Sequence, residues 1–521
     1  MQIPSVTDPI LTGDARLSPE VSERVLSIEE RLANLTRDHA VLIESLEINR
    51  APQEGWLSVF NGYIGVLVVA FLITLIVTPI CRRLAISNGV VDAPKDPRKI
   101  HKYPIAYLGG LGVYLGIMGG IFFSYAAVAM GEGAGLLKFH DGAAIDALTG
   151  LPLGVAPWII AGLTVIMVIG LLDDVTDLSP RVKIGGQLLA AAFLAYGDIG
   201  VNLAQGVLTP TLGALLNNPD LTWTFEFGGT IPLIGDALTV DIIYWTGTAV
   251  IAIFVLGACN ASNLIDGLDG LLSGVTAIAT FGLLAIALMM VFQENARGDQ
   301  DATRIILSMA VCGACLGFLP HNFNPATIFL GDCGSLLLGF ATIVIVLTLG
   351  DTGRTDLVIA GLIVYSIPII DTILAIVRRK MAGKKMSDPD SDHLHHMLKR
   401  ALGVKGAVLT LYCVGICFAV LGVLVAASGA RMAYTLALLF SAFLAVYSIK
   451  IAQIKQIQEH AARKLGLTSA AMGLMVPADG TGETGSGSTS ETPSAENGSP
   501  AQAPTAEGHS DAAAEGTPAK A

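Results

Sequence analysis

The sequence predicts an all-α polytopic membrane protein with about eleven transmembrane helices. Three observations lead there. Of 521 residues, 53% are hydrophobic and only 14% charged, and the mean hydropathy is +0.64. Apolar runs near the length of a hydrocarbon crossing also recur from residue 57 onward. The net charge of -12 belongs to the two ends, 1–55 and 475–521, and leaves the middle close to neutral. No basic excess marks a nucleic-acid partner, so none is expected. Seven cysteines fall mostly in or beside apolar runs, and the single CxxC, Cys312 and Cys315, has no second pair at metal spacing. Packing roles fit them better than zinc or redox chemistry.

Residues 1–55 are polar, without the early apolar core of a cleavable signal peptide. Ser18-Pro19 reads as N-cap and first helical position, opening a helix over 19–48. In it Val21, Val25, Ile28, Leu32, Leu35, His39, Leu42 and Leu46 recur at alternating four- and three-residue steps. A short coiled coil, which would make a homodimer, and a single amphipathic helix lying on the membrane or against the core satisfy that pattern equally. Apolar segments follow at approximately 57–80, 107–130, 155–172, 184–205, 243–259, 270–292, 304–320, 334–349, 357–378, 405–427 and 432–451.

Loops 81–106 and 379–404 are rich in Lys and Arg, whereas 206–242 has neither. Positive loops stay cytoplasmic, so the N-terminus is expected outside and, after eleven crossings, the C-terminus in the cytoplasm. The chain then divides into an extracytoplasmic segment 1–55, a transmembrane catalytic domain 56–452, a cytoplasmic helix end 453–474 and a disordered acidic tail 475–521. Thr222-Trp223-Thr224-Phe225-Glu226-Phe227, followed by Gly228-Gly229, alternates like a small external β-hairpin.

Five loops on the predicted cytoplasmic face hold the chemistry. The first, 81–106, carries Lys99 and His101 beside prolines and glycines. Phosphate contact competes there with the plain orientation signal. The second joins Asp173 and Asp174 to Lys183. Adjacent carboxylates at a helix end are costly unless solvated, paired or metal-bound, and mutual repulsion makes one of them a proton acceptor. The third, NASNLIDGLDG, offers Asn260, Asn263, Asp266 and Asp269 beside Gly267 and Gly270, whose missing side chains let a ligand or another backbone approach. The fourth sets Asp332 between two glycines at the mouth of an apolar helix. A lone Asp there is usually an N-cap, but its company favours a metal ligand. The fifth carries His393, His395 and His396 in a basic setting. Further ligands for zinc are lacking, so contact with a phosphorylated substrate fits better. Carboxylates, amides, lysines and histidines on one face fit Mg²⁺-dependent phosphoryl transfer, and a site at the bilayer surface makes one substrate a lipid.

In order, RKIH, LLDDVTDL with its following Lys, NASNLIDGLDG, FNPATIFLGDCGS and HLHH resemble the motifs of the polyprenyl-phosphate N-acetylhexosamine-1-phosphate transferases over about 58–452. The resemblance implies transfer of a sugar 1-phosphate from a UDP-sugar to undecaprenyl phosphate, with release of UMP, at the cytoplasmic face of the cell membrane. It implies Mg²⁺, with Mn²⁺ as an alternative, at Asp332 and Asn263, and a catalytic acidic pair at Asp173 and Asp174. It also places Asp269 on the uracil and Lys183 on phosphate. HLHH resembles the branch that uses UDP-N-acetylglucosamine for teichoic acid, O-antigen or related glycans. The branch that transfers phospho-MurNAc-pentapeptide ranks second, because its contiguous histidines after a proline are absent. A secondary transporter would carry its polar groups near the bilayer midplane, not at helix ends.

Overall fold

The computed structural model describes residues 56–92, 104–129, 154–176, 178–231, 235–292, 300–381 and 393–429, with scattered positions between 431 and 450. The chain divides into two units, Met1–Ile457 and Gln458–Ala521, and every described residue belongs to the first. The segment 1–55 with its heptad helix, Lys99, His101, most of 432–451, and 453–521 lie outside the described residues.

The long helices are α1 (Trp56–Ser87), α2 (Gly109–Ala129), α3 (Pro157–Thr176), α4 (Pro180–Tyr196), α5 (Ile242–Ile265), α6 (Leu271–Val291), α7 (Asp301–Asn322), α8 (Gly331–Thr348), α9 (Thr355–Val364), α10 (Ser366–Met381) and α11 (Leu394–Ser428), with short helical turns from Val201 to Leu216 between α4 and α5. Eight helices are long and apolar enough to cross a membrane. The number rises to ten if two bent pairs each count as one crossing: Pro180–Tyr196 with Val201–Leu216, bent by 82°, and Thr355–Val364 with Ser366–Lys380, bent by 80°. The described residues thus hold eight to ten of the crossings, and the eleventh expected segment, 432–451, lies mostly outside them. Apolar composition runs through a break unnoticed, whereas backbone does not: the first bend falls where Asp198 and Gly200 take positive φ, 54° and 84°.

Helices α7 and α8 form the axis of the bundle and are almost wholly buried, while α1 turns Leu72, Ile76 and Ile80 outward. In a bilayer that outer face meets acyl chains, and the internal helix bonds satisfy its backbone. The start of α8 is gripped by backbone on both sides. A Cβ on Gly110 of α2 would stand 2.1 Å from the Gly334 nitrogen, and one on Gly170 of α3 would stand 2.5 Å from the Cys333 Cα. Only glycine allows such close helix approach.

Two small sheets complete the fold. β1 (Val91–Asp92) pairs antiparallel with β2 (Ile105–Ala106). Beyond it the Phe329 amide donates to the Ala106 carbonyl (2.9 Å), and the Gly109 and Gly110 amides donate to Phe329 and Leu330 (both 2.9 Å). The first and fourth loops are thus stitched together. β3 (Thr222–Ile231) and β4 (Gly235–Asp241) form the expected hairpin, with Thr222 opposite Asp241 and Phe225 opposite Leu238. Asp241 ends that hairpin and caps α5, its carboxylate accepting the Tyr244 amide at 2.9 Å. The 24 residues of α5 span about 36 Å, which sets the hairpin at the opposite end of the bundle from the NASNLIDGLDG loop.

Candidate active site

At that far end of α5 the ends of α3 and α7 meet the starts of α4, α6 and α8. Asp332, in the first turn of α8, is the junction. Its Oδ2 accepts from the Lys183 ammonium (2.9 Å), and its Oδ1 accepts from the Asn263 amide (2.8 Å). Lys183 also pairs with Asp173 Oδ2 at 2.5 Å, so one ammonium bridges two carboxylates. The Asn263 amide nitrogen donates to Ser335 Oγ as well (3.0 Å), so its amide oxygen points away from both partners. Three stretches that are distant in sequence therefore meet around one carboxylate.

The paired aspartates separate in role. Asp174 spends both oxygens on the first turn of α8, accepting the Asp332 amide (2.7 Å) and the Cys333 amide (3.0 Å). It caps α8 from a neighbouring helix, answering donors that a helix start leaves unpaired. Asp173 accepts the Leu178 amide (2.8 Å) through Oδ1 and keeps Oδ2 for Lys183.

In front of Asp332 opens a cavity of about 490 Å³, lined among others by Asn263, Asp266, Asp269, Asn324, His396 and Lys399. Burial pushes the Asp266 carboxyl up, to about 8, and the charges of Asp332, Asp174 and Asp269 add to the rise. Asp269 Oδ2 is held by the Asn324 amide (2.8 Å) and the Ala326 backbone amide (3.0 Å). Hard oxygen donors crowded beyond what Lys183 neutralises suit a divalent cation with phosphate. Asp332 and Asn263 are the residues that could hold it.

Not every predicted residue reaches the cavity. Asn260 turns away, donating to Gln187 Oε1 (3.0 Å) and to the Leu256 carbonyl (2.7 Å). Asp173, Asp174 and Lys183 stand behind Asp332. Of the three histidines only His396 lines the cavity, while His393 and His395 are buried. The glycines also serve differently from expectation. A Cβ on Gly267 would stand 2.5 Å from His395 Nε2, and one on Gly331 (φ 70°) would stand 2.4 Å from Asp174 Oδ2. They clear space for neighbouring side chains of this chain.

Three residues escape the sequence reading. Asn322 ties two loops together: its Oδ1 accepts the Gly270 amide (3.1 Å) and the Ser273 hydroxyl (3.0 Å), and its Nδ2 donates to the Ile328 carbonyl (3.1 Å). Lys399 faces the cavity three residues beyond His396. Asp371 holds His393 from within an apolar helix, where no local pattern flags it.

The profile described as Glycosyl transferase family 4 matches residues 156–350. The chain is 31% identical over 355 residues to the Bacillus subtilis protein named probable undecaprenyl-phosphate N-acetylglucosaminyl 1-phosphate transferase, covering 68% of this chain and 82% of the relative. It belongs to the polyprenyl-phosphate N-acetylhexosamine-1-phosphate transferase family. Decaprenyl-phosphate N-acetylglucosaminephosphotransferase of Mycobacterium tuberculosis is 33% identical over 349 residues, 63% of this chain and 74% of the relative. Phospho-N-acetylmuramoyl-pentapeptide-transferase of Geobacillus thermodenitrificans is 30% identical over 371 residues, 68% of this chain and 95% of the relative. The transferase is a multi-pass membrane protein.

Proposed function

We propose that this protein transfers N-acetylglucosamine 1-phosphate from UDP-N-acetylglucosamine to undecaprenyl phosphate, releasing UMP, at the cytoplasmic face of the cell membrane. The product would begin a lipid-linked cell-envelope glycan. The observation that carries the reading is the convergence of Lys183 and Asp173 on Asp332 and Asn263, which line a cavity together with His396 and Lys399. An oxygen of the lipid phosphate forms a bond to the sugar-bearing phosphorus. The bond from that phosphorus to the bridging oxygen breaks, and UMP leaves with that oxygen.

Asp173 is the member of the pair we assign to the acceptor. Its Oδ2 meets a lysine ammonium, whereas both Asp174 oxygens are committed to backbone amides, so Asp173 is the one that can take a proton from the lipid phosphate. Asp174 positions α8. Lys183 neutralises phosphate, and Asp269 with Asn324 faces the nucleobase. Lys99 and His101 are assigned to phosphate contact, and Asp266 to the diphosphate. Asp332 and Asn263 would hold Mg²⁺, or Mn²⁺ in its place, which supplies charge neutralisation at the diphosphate.

Transfer of phospho-MurNAc-pentapeptide is the second reading, favoured by the match to 95% of the Geobacillus relative. HLHH weighs against it. Detergent-purified protein given undecaprenyl phosphate, Mg²⁺ and a panel of UDP-sugars decides: UMP release with UDP-N-acetylglucosamine is expected. Release only with UDP-MurNAc-pentapeptide moves the protein to the second branch. Vectorial uptake without release would make it a transporter. Sidedness is tested separately. Leu215, 80% exposed at the hairpin end, replaced as Leu215→Cys should react in cells with a membrane-impermeant thiol reagent, and labelling only from inside overturns the cytoplasmic site.

A further inference from the structure

Asp371 lies on α10, just after the 80° bend, and is only 1% exposed. A carboxylate so enclosed is expensive unless its oxygens are answered. Oδ1 accepts the Leu394 amide at 2.7 Å, and Oδ2 accepts from His393 Nδ1 at 2.9 Å. The Leu394 amide is an orphan donor at the start of α11, so Asp371 caps that helix from another element. The His393 ring stacks on that of His395, centroids 5.5 Å apart and planes at 22°. His395 in turn presses on Gly267, so closely that a Cβ there would stand 2.5 Å from its Nε2 and the ring would have to move aside. Gly267 lies in the cavity wall between Asp266 and Asp269, and His396 and Lys399, next along α11, line the same cavity.

We propose that Asp371 is a positioning residue: it anchors the HLHH segment and, through His395 on Gly267, fixes the Asp266–Asp269 loop, so that it sets donor binding without touching the donor. The proposal rests on the transfer reading above. It accounts for a buried charge inside an apolar helix that no reaction step uses. Asp371, His393 and His395 also present their ligand atoms within 4.8 Å of one another, as a metal site would. Metal ligation is the weaker account. The 2.9 Å contact has hydrogen-bond length, Oδ1 is committed to a peptide amide, and three ligands fall short of a closed tetrahedral site.

The test uses full-length protein in detergent. Asp371→Asn keeps the size and a carbonyl oxygen for the Leu394 amide but removes the charge that draws the His393 N–H. Its KM for UDP-N-acetylglucosamine should rise about tenfold or more, since small misplacements of positioning groups are costly, while kcat changes less. UMP affinity, read by calorimetry without any turnover, should fall by a similar factor. Gly267→Ala pushes on the same contact from the other side and should reproduce the pattern even if the Asp371 variant folds poorly. Unchanged KM and UMP affinity in either folded variant overturn the proposal, leaving Asp371 a purely structural residue. So does a stoichiometric transition metal in the wild type that is lost in Asp371→Asn. Wild-type protein that binds UMP but transfers nothing sinks the transfer reading alone, and the affinity comparison still decides Asp371. Wild type that binds no UMP overturns both.

Discussion

The two ends of the helix bundle both bury charge, but they balance it differently. At the hairpin end, Arg304 is completely buried and pairs with Asp301 at 2.8 Å and Asp351 at 3.9 Å. Nearby, Arg354 grips Asp356 with two hydrogen bonds of 2.8 and 2.7 Å. At the other end Asp173 and Asp332 share Lys183, Asp174 holds the backbone beside them, and Asp266 and Asp269 line the cavity together with Lys399. At the hairpin end two arginines stand against three carboxylates, and each pairs directly with its own aspartates inside the chain. At the other end five carboxylates stand against two lysines, and a cavity opens beside them where something outside the chain can complete the balance.

The sharpest way to break that contrast is at Asp332. Asp332→Asn should lower UMP release by at least about a hundredfold, the scale of losing one preorganised charge partner, with expression and membrane insertion intact. Near-normal release would mean that the carboxylate excess has no catalytic purpose. Next in size, Arg304→Met should remove the buried guanidinium that pairs with Asp301 and Asp351 and cost about 3–5 kcal/mol of stability. A thermal melt in detergent would measure this, while UMP release per folded molecule stays at the wild-type value. Loss of release from well-folded Arg304→Met protein would erase the division between a structural end and a chemical end. The smallest effect belongs to neither end. Removing residues 480–521, which lack the apolar content to pack, should leave release unchanged, and a large loss would add the tail to the chemical end.

Much of the chemical end was legible because its residues are crowded into short polar strings between apolar runs. Asp332 and Asn263 were legible in that way, and so was the hairpin, from its two-residue alternation. What sequence could not supply was direction. Asn260 and Asn263 are three residues apart, yet one faces Gln187 and the other Asp332. Asp173 and Asp174 are adjacent, yet one meets an ammonium and the other two backbone amides. Asp371 was silent because its partner His393 is 22 positions further on, and an aspartate within Ile367-Pro368-Ile369-Ile370 and Thr372-Ile373-Leu374 carries no local signal. The two helix bends were silent for a related reason. Hydropathy measures how apolar a stretch is, not whether its backbone turns.

The glycine contacts around the start of α8 have one further consequence. With Gly110 and Gly170 pressing bare backbone against Cys333 and Gly334, the Asp332 carboxylate is carried on a jaw that has no slack for adjustment. The opposite jaw hangs on side-chain contacts that begin at a single carboxylate. Adapting such an enzyme to a different sugar would therefore proceed by re-cutting the histidine side, while the phosphate-handling side stays as it is.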